Sequence, residues 1–177
     1  ALHATSVGTT YLSLFSRMKS FQREHLDEEF YVKRNLVRLR AMRGTLFITS
    51  SELAPVLYQA TKLPEPQLLN LTRKWGISQS EYGELSEKLH ILLKGGGKTL
   101  TEIRKVLPKE LVRTLELRDG KSIYKWTNIK VVLSMMMRRG IVISEKDMGT
   151  LRLTKANQYV LFQEIYPKLD LDSVKRE

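Results

Sequence analysis

Residues 127–155 constrain the fold of this chain more than any other stretch, because they read as a helix running into a short basic hairpin. Thr127 brings a hydroxyl that can accept a bond from a free backbone N–H at a helix start. Ile129, Val132, Leu133 and Met136 then recur at i, i+3, i+4 and i+7, which makes one apolar stripe. Lys130, Ser134 and Arg138 project from the other side. Gly140 ends the helix, and Arg138 and Arg139 stand in its last turn, where the dipole favours cations. Residues 141–146 read as a strand, Asp147-Met148-Gly149 as a turn, and residues 150–155 as a second strand in which Leu151 and Leu153 alternate with Arg152 and Thr154. A helix feeding a small basic wing is the layout of a winged helix-turn-helix, which sets a helix in the DNA major groove and the wing on phosphates. A plain helix–hairpin corner with a solvated basic face fits the same residues.

Charge narrows the choice of partner. The net charge is +11 and the pI is near 9.9, so an anionic partner is favoured, nucleic acid first and an anionic membrane surface second. No window reaches the roughly 18 apolar residues of a membrane span, and no signal peptide is seen. With no cysteine, disulfides and thiolate metal sites are excluded, which suits the cytosol. His3, His25 and His90 lie far apart without HExxH spacing, so no metal is expected. At 177 residues the chain holds one domain or two small ones. It opens on Ala1 rather than Met, which fits a processed start or a piece of a longer protein.

Helical spacing recurs over 9–19 through Leu12, Phe15 and Met18 or Lys19, and over 23–34 through Leu26, Phe30 and Arg34. In the second, acids lead and bases follow, as the dipole prefers. A third helix is expected from Leu36 to Met42, stopped by Gly44. Residues 45–49 read as a strand. Ser50 or Ser51 is expected to cap a helix to about Thr61. A further helix runs from Glu65 to Trp75 and ends at Gly76. Ser78 or Ser80 caps the next, which carries Leu85, Leu89, Leu92 and Leu93. Thr99-Leu100-Thr101-Glu102 matches a capping box and starts a short helix. Residues 109–126 are ambiguous, with Asp119-Gly120 suggesting a turn between extended pieces. Residues 157–166 are expected to return as a helix through Tyr159, Phe162 and Tyr166, and 168–177 to be a frayed, charged tail.

Several motifs have dull readings that match or outweigh their sharp ones. Gly97-Lys98-Thr99 suggests a phosphate loop, but that loop needs a glycine where Leu92 stands and a strand where a helix precedes. Met136 reads as core filling, and Met135 or Met137 as partly exposed. Arg38, Arg40 and Arg43 fit a solvated face or a phosphate contact equally, the latter through the planar fork of Arg. Asp27, Glu28 and Glu29 sit in a helix first turn and read as structural.

Residues 40–47, Arg-Ala-Met-Arg-Gly-Thr-Leu-Phe, resemble the Met-Arg-Gly-Thr-Leu signature of the tandem winged-helix DNA glycosylases that include AlkZ and YcaQ. Residues 2–5, Leu-His-Ala-Thr, followed by residues 11–17, resemble the N-terminal region of that family. Residues 85–155 are compatible with its next winged helix. The resemblance covers most of the chain, which corresponds to about half of a member; the later, β-rich C-terminal portion lies outside it. It implies excision of alkylated or crosslinked purines from DNA. The family's catalytic motif is Gln, an apolar residue, then Gln or Asp. His3-Ala4-Thr5 stands in that place and departs from it: His3 can position or deprotonate a water, and Thr5 can hydrogen-bond it but carries no negative charge. Both are equally compatible with ordinary polar residues.

The expected fold is therefore mainly α, with tandem winged helix-turn-helix units and small β wings. A partial first unit is expected over 1–62, a connector helix over 63–77, a second unit over 78–167 and a charged tail over 168–177. The expected function is binding of double-stranded DNA, with base excision by His3 and Thr5. Lys130, Ser134, Arg138 and Arg139 are expected on the helix facing DNA, Lys146, Arg152 and Lys155 on the wing, and Arg43 and Thr45 near the lesion. No cofactor and no membrane contact are expected, and the place is the cytoplasm or nucleoid. A non-enzymatic winged-helix regulator and a protein-interaction module are the other readings.

Overall fold

A computed structural model describes residues 1–119, 122–145 and 157–174. The described chain is rich in helices and carries three small sheets. The first part contains β1 (Leu2–His3), α1 (Val7–Phe15), α2 (Arg23–Asp27) prolonged by a π-helical turn (Glu28–Val32), β2 (Leu36–Arg40), a tight turn (Met42–Gly44), β3 (Leu46–Ser50) and α3 (Ala54–Thr61). Then come α4 (Glu65–Lys74) and α5 (Gln79–Leu93). The second part contains β4 (Lys98–Thr99), α6 (Leu100–Val106), β5 (Thr114–Asp119), β6 (Ser122–Thr127), α7 (Asn128–Arg138), β7 (Val142–Glu145), β8 (Gln158–Leu161) and α8 (Phe162–Ile165).

Two of the sheets are built alike. One has the order β1-β3-β2 and the other β4-β8-β7, and every pairing is antiparallel. In both, a two-residue strand adds to the outside of the last strand of a hairpin. Helices lie between the lone strand and the hairpin in each case. The third sheet is the hairpin β5–β6, inserted between α6 and α7, with Leu115 opposite Trp126.

Local chemistry explains most element starts. The Ser78 side chain accepts from Glu81 N, and the Thr127 side chain from Lys130 N. Thr99 and Glu102 form the full capping box at α6. α3 begins differently: neither Ser50 nor Ser51 caps it, and Pro55 stands in its first turn instead.

The third expected helix is a strand. Residues 36–40 pair with β3, Leu36 opposite Ser50 and Arg40 opposite Leu46. Val37 and Leu39 alternate with Arg38 and Arg40, a period of two that a partner strand can exploit and an isolated helix cannot. The wing differs too. β7 pairs with residues 158–161, Val142 opposite Leu161, so the expected helix over 157–166 is a strand followed by the short α8. Residues 150–155 and the turn at 147–149 lie outside the described residues. Met135 and Met137 join Met136 in the core rather than reaching solvent.

The tail is anchored at least to Leu171, which is buried beside Tyr58 and Gly140. Gln59 Nε2 donates to Leu171 O at 3.0 Å, and Lys62 bridges Asp172 at 2.7 Å.

The main core packs Leu85, Leu89 and Leu93 of α5 against Ile129, Leu133 and Met136 of α7. A second cluster joins the two parts: Val37, Leu39 and Ala41 meet Ile143, Val160 and Phe162. Polar links cross the same seam. Arg34 bridges Glu145 at 2.6 Å, and the buried Arg38 donates to Ser144 O at 2.6 Å.

Candidate active site and nucleic-acid interface

The two stretches that carry the family resemblance are neighbours in space. β1 pairs with β3, Leu2 opposite Ile48 and His3 opposite Phe47. The pairing continues where Ala4 N donates to Leu46 O at 2.7 Å. Because side chains alternate along extended backbone, Ala4 points into the core and is fully buried, while His3 and Thr5 both stay exposed on one face.

His3 and Thr5 meet there. Thr5 Oγ1 lies 3.2 Å from His3 Nε2. Leu46 N–H donates to the same Oγ1 at 3.3 Å, which fixes the hydroxyl. The His3 ring stands edge-on to Phe47, with centroids 5.4 Å apart. Thr10, buried on α1, donates its hydroxyl to His3 O at 3.3 Å. The imidazole is thus held by Thr5 and Phe47, and its backbone by Thr10, on a strand rather than on a loose end.

Which nitrogen carries the proton sets what this pair can do. If Nε2–H donates to Thr5, Nδ1 is left as an acceptor. If the Thr5 hydroxyl donates to Nε2, Nδ1 carries the proton.

The tight turn next to this pair holds Arg43 and Thr45. Arg43 is exposed and has φ 56°, and Gly44 follows at φ 71°. Thr45 Oγ1 donates to Met42 O at 3.0 Å and closes the turn. The three arginines of this segment separate. Arg43 faces solvent, Arg38 is buried, and Arg40 Nη1 donates to Gly44 O at 2.7 Å.

α7 is buried on nearly all sides, contrary to the expectation of a helix with one free face. Ser134 is only 4% exposed, so it does not face a duplex; it packs among the core residues of α7. Lys130 and Arg138 remain half-exposed, against aromatic rings. Lys130 Nζ lies 4.2 Å from the Trp126 ring centroid, and the Arg138 guanidinium 6.0 Å from that of Trp75. The two tryptophans meet edge to face at 5.9 Å. Arg139 is turned away to Glu65, at 2.5 Å, and lies over Tyr82. Lys146, Arg152 and Lys155 lie outside the described residues.

Phe47, Trp75 and Trp126 were not singled out as site residues in the sequence, whereas Arg40 was, as a solvated-face or phosphate-contact arginine. Phe47 carried a signal all the same, since it alternates with Leu46 and Ile48 in a strand beside the motif. The acids Asp27, Glu28 and Glu29 are occupied structurally. Tyr11 O–H donates to Asp27, and Lys33 bridges Glu28 at 3.2 Å and Glu29 at 2.8 Å. Burial, and then the hydrogen bond to Asp27, push the Tyr11 hydroxyl far above its ordinary range.

A family model for AlkZ-like DNA glycosylases matches residues 1–177. The chain belongs to the AlkZ-like DNA glycosylase family. Among solved structures it is similar to the Streptomyces sahachiroi DNA glycosylase AlkZ, at 23% identity and a TM-score of 0.60. That likeness is one of fold, and it covers 99% of this chain and 44% of the Streptomyces chain. The chain therefore spans less than half the length of that relative. No curated protein matches the sequence. Family membership bears out the resemblance read from residues 40–47 and 2–5. Among the described residues, no helix is long and apolar enough to cross a membrane.

Proposed function

We propose that this AlkZ-like chain acts on double-stranded DNA and removes alkylated or crosslinked purines, with His3 and Thr5 at the reacting centre. One observation carries the reading: His3 and Thr5 share an exposed face, 3.2 Å apart, on a strand locked to residues 46–47. The chemistry asks little more of a protein. An N7-alkylated guanine is a cationic leaving group. The bond from C1′ to N9 breaks, its electron pair neutralises the base, and positive charge develops on the sugar. A water oxygen then bonds to C1′ and gives up a proton. In the tautomer with Nε2–H donated to Thr5, His3 Nδ1 accepts that proton and Thr5 holds the ring in place. Thr5 adds a dipole but no negative charge for the sugar cation.

Tandem winged-helix units over 1–62 and 78–167 fit the repeated order of the two sheets, a lone strand, helices, then a hairpin. In this reading Arg43 and Thr45 border the lesion, Lys130 and Arg138 lie along the duplex, Arg139 is held by Glu65 instead, and Lys146, Arg152 and Lys155 reach phosphates from the wing. The regulator reading needs a free helix face in the major groove, and the burial of α7 speaks against it.

The test is base release from a duplex carrying one N7-methylguanine, using the full chain. Wild type should release the free base, and His3→Ala should slow release by about 10²-fold or more without changing the fold. Absence of release by wild type removes the proposal; equal release by both proteins removes His3 from it.

A further inference from the structure

Two arginines meet over one glycine at the seam between the two parts. Arg40 Nη1 donates to Gly44 O at 2.7 Å. Arg138, from α7, lies so close to the same residue that a Cβ at position 44 would stand 2.1 Å from its Nη2. The guanidinium of Arg138 lies 6.0 Å from the Trp75 ring centroid and fills the space beside Gly44, so its place is set before any ligand arrives.

The contrast with neighbouring arginines is informative. Arg34 is paired with Glu145 at 2.6 Å, Arg113 with Glu81 at 2.6 Å and Arg139 with Glu65 at 2.5 Å. Among the described residues, neither Arg40 nor Arg138 has a carboxylate within bridging distance, and the Nε of each, like that of Arg139, is buried and unbonded. Arg138 donates to no acceptor at all among those residues. Burial lowers the pKa of both, and for Arg40 the neighbouring charge of Arg138 adds to it. Two half-buried like charges held together without an anion are unfavourable unless something negative joins them. A planar fork with free donors matches a phosphate. Exposed Arg43 stands at the apex of the same turn, and Leu46, two residues past Gly44, is the residue that fixes Thr5.

We propose that Arg138 and Arg40, joined over Gly44, form a socket for one phosphate of the DNA backbone and so pin the duplex beside the His3–Thr5 pair. This rests on the DNA-binding part of the reading above. Excision itself does not enter the test, which uses an undamaged duplex.

The experiment measures affinity of the full chain for an undamaged duplex across a salt series, for wild type, Arg138→Gln and Arg138→Lys. Loss of one phosphate contact should lower the salt slope by about 0.9 and the affinity about tenfold in Arg138→Gln. Arg138→Lys should keep the slope and lose about threefold, because the charge stays and the fork goes. Thermal melting with inorganic phosphate, against chloride at equal ionic strength, supplies the second readout. Without phosphate, Arg138→Gln should melt at or above the wild-type temperature, because a repulsive pair is relieved. Phosphate should raise the melting temperature of wild type and not of Arg138→Gln. A socket is overturned if Arg138→Gln leaves slope and affinity unchanged, or if it lowers the melting temperature without phosphate, as a purely structural arginine would. Base release can fail while these results hold, so the two proposals fall separately.

Discussion

The two like-ordered sheets have been put to different uses. In the first, β2 and β3 are joined by the tight turn Met42–Gly44, and the buried core around β1 is small: Ala4, Phe30 and Ile48. In the second, the sheet backs onto the large cluster of α5 and α7 and carries the added hairpin β5–β6. The first part holds the exposed polar pair and the arginine turn on little core. The second supplies the apolar mass. A common layout therefore separates into a part that presents chemistry and a part that holds the molecule together.

Leu89→Ala should break this division most strongly. Leu89 is fully buried in the large cluster, and its truncation should cost about 2–5 kcal/mol, read as a drop in the denaturant midpoint of the whole chain. A small, local loss would mean that the second part does not carry global stability. Arg34→Gln acts on the seam. It leaves the Glu145 carboxylate, which is 10% exposed, without its partner, and should cost about 1–3 kcal/mol. If the loss appears only as earlier melting of the first part, the seam is weaker than the shared cluster suggests.

Glu81 tests the second part through pH. Burial alone would raise its pKa, but hydrogen bonds from Arg113 and Asn128 outweigh that and lower it. A depressed folded pKa gives stability that is present above the ordinary carboxylate value near about 4.3 and is lost as pH falls through the folded value. The gap in melting temperature between wild type and Glu81→Gln should be constant around neutral pH and close as the pH falls below the ordinary carboxylate value and through the lowered folded one. A gap that does not change with pH removes Glu81 as its source. Last, Ile48→Val, in the small core, should cost about 0.5–1.5 kcal/mol, and His3→Ala about 0.5 kcal/mol or less, because His3 is exposed. A large loss in either would mean that the first part is better packed than its buried residues indicate.

Helices whose signal is local were legible. Thr127, Ser78 and the Thr99–Glu102 box cap the helices they announced, and Gly140 ends α7 at φ 67°. Residues 36–40 and 158–161 were not, because their strand character comes from partners distant in sequence. The placement of His3 and Thr5 on one face was implicit in the alternation of residues 2–5, once those residues are extended. The burial of Ser134 was not legible. An apolar stripe shows where one side of a helix packs, and nothing in residues 127–140 announces that the β5–β6 hairpin and α4 close around the other. α1 shows the converse. Its apolar spacing is helical, yet Leu12 and Phe15 are 70% and 69% exposed.

Gly44 has a consequence for how such a sequence can drift. Its backbone conformation resists a side chain, and the space a side chain would fill is taken by Arg138, ninety-four positions later (138 − 44). The two positions are therefore not free to vary alone. A relative with a larger residue at 44 should carry a shorter one at 138, and one that keeps arginine at 138 should keep glycine at 44. The pair should therefore vary together across relatives, linking the two parts through steric exclusion rather than a hydrogen bond.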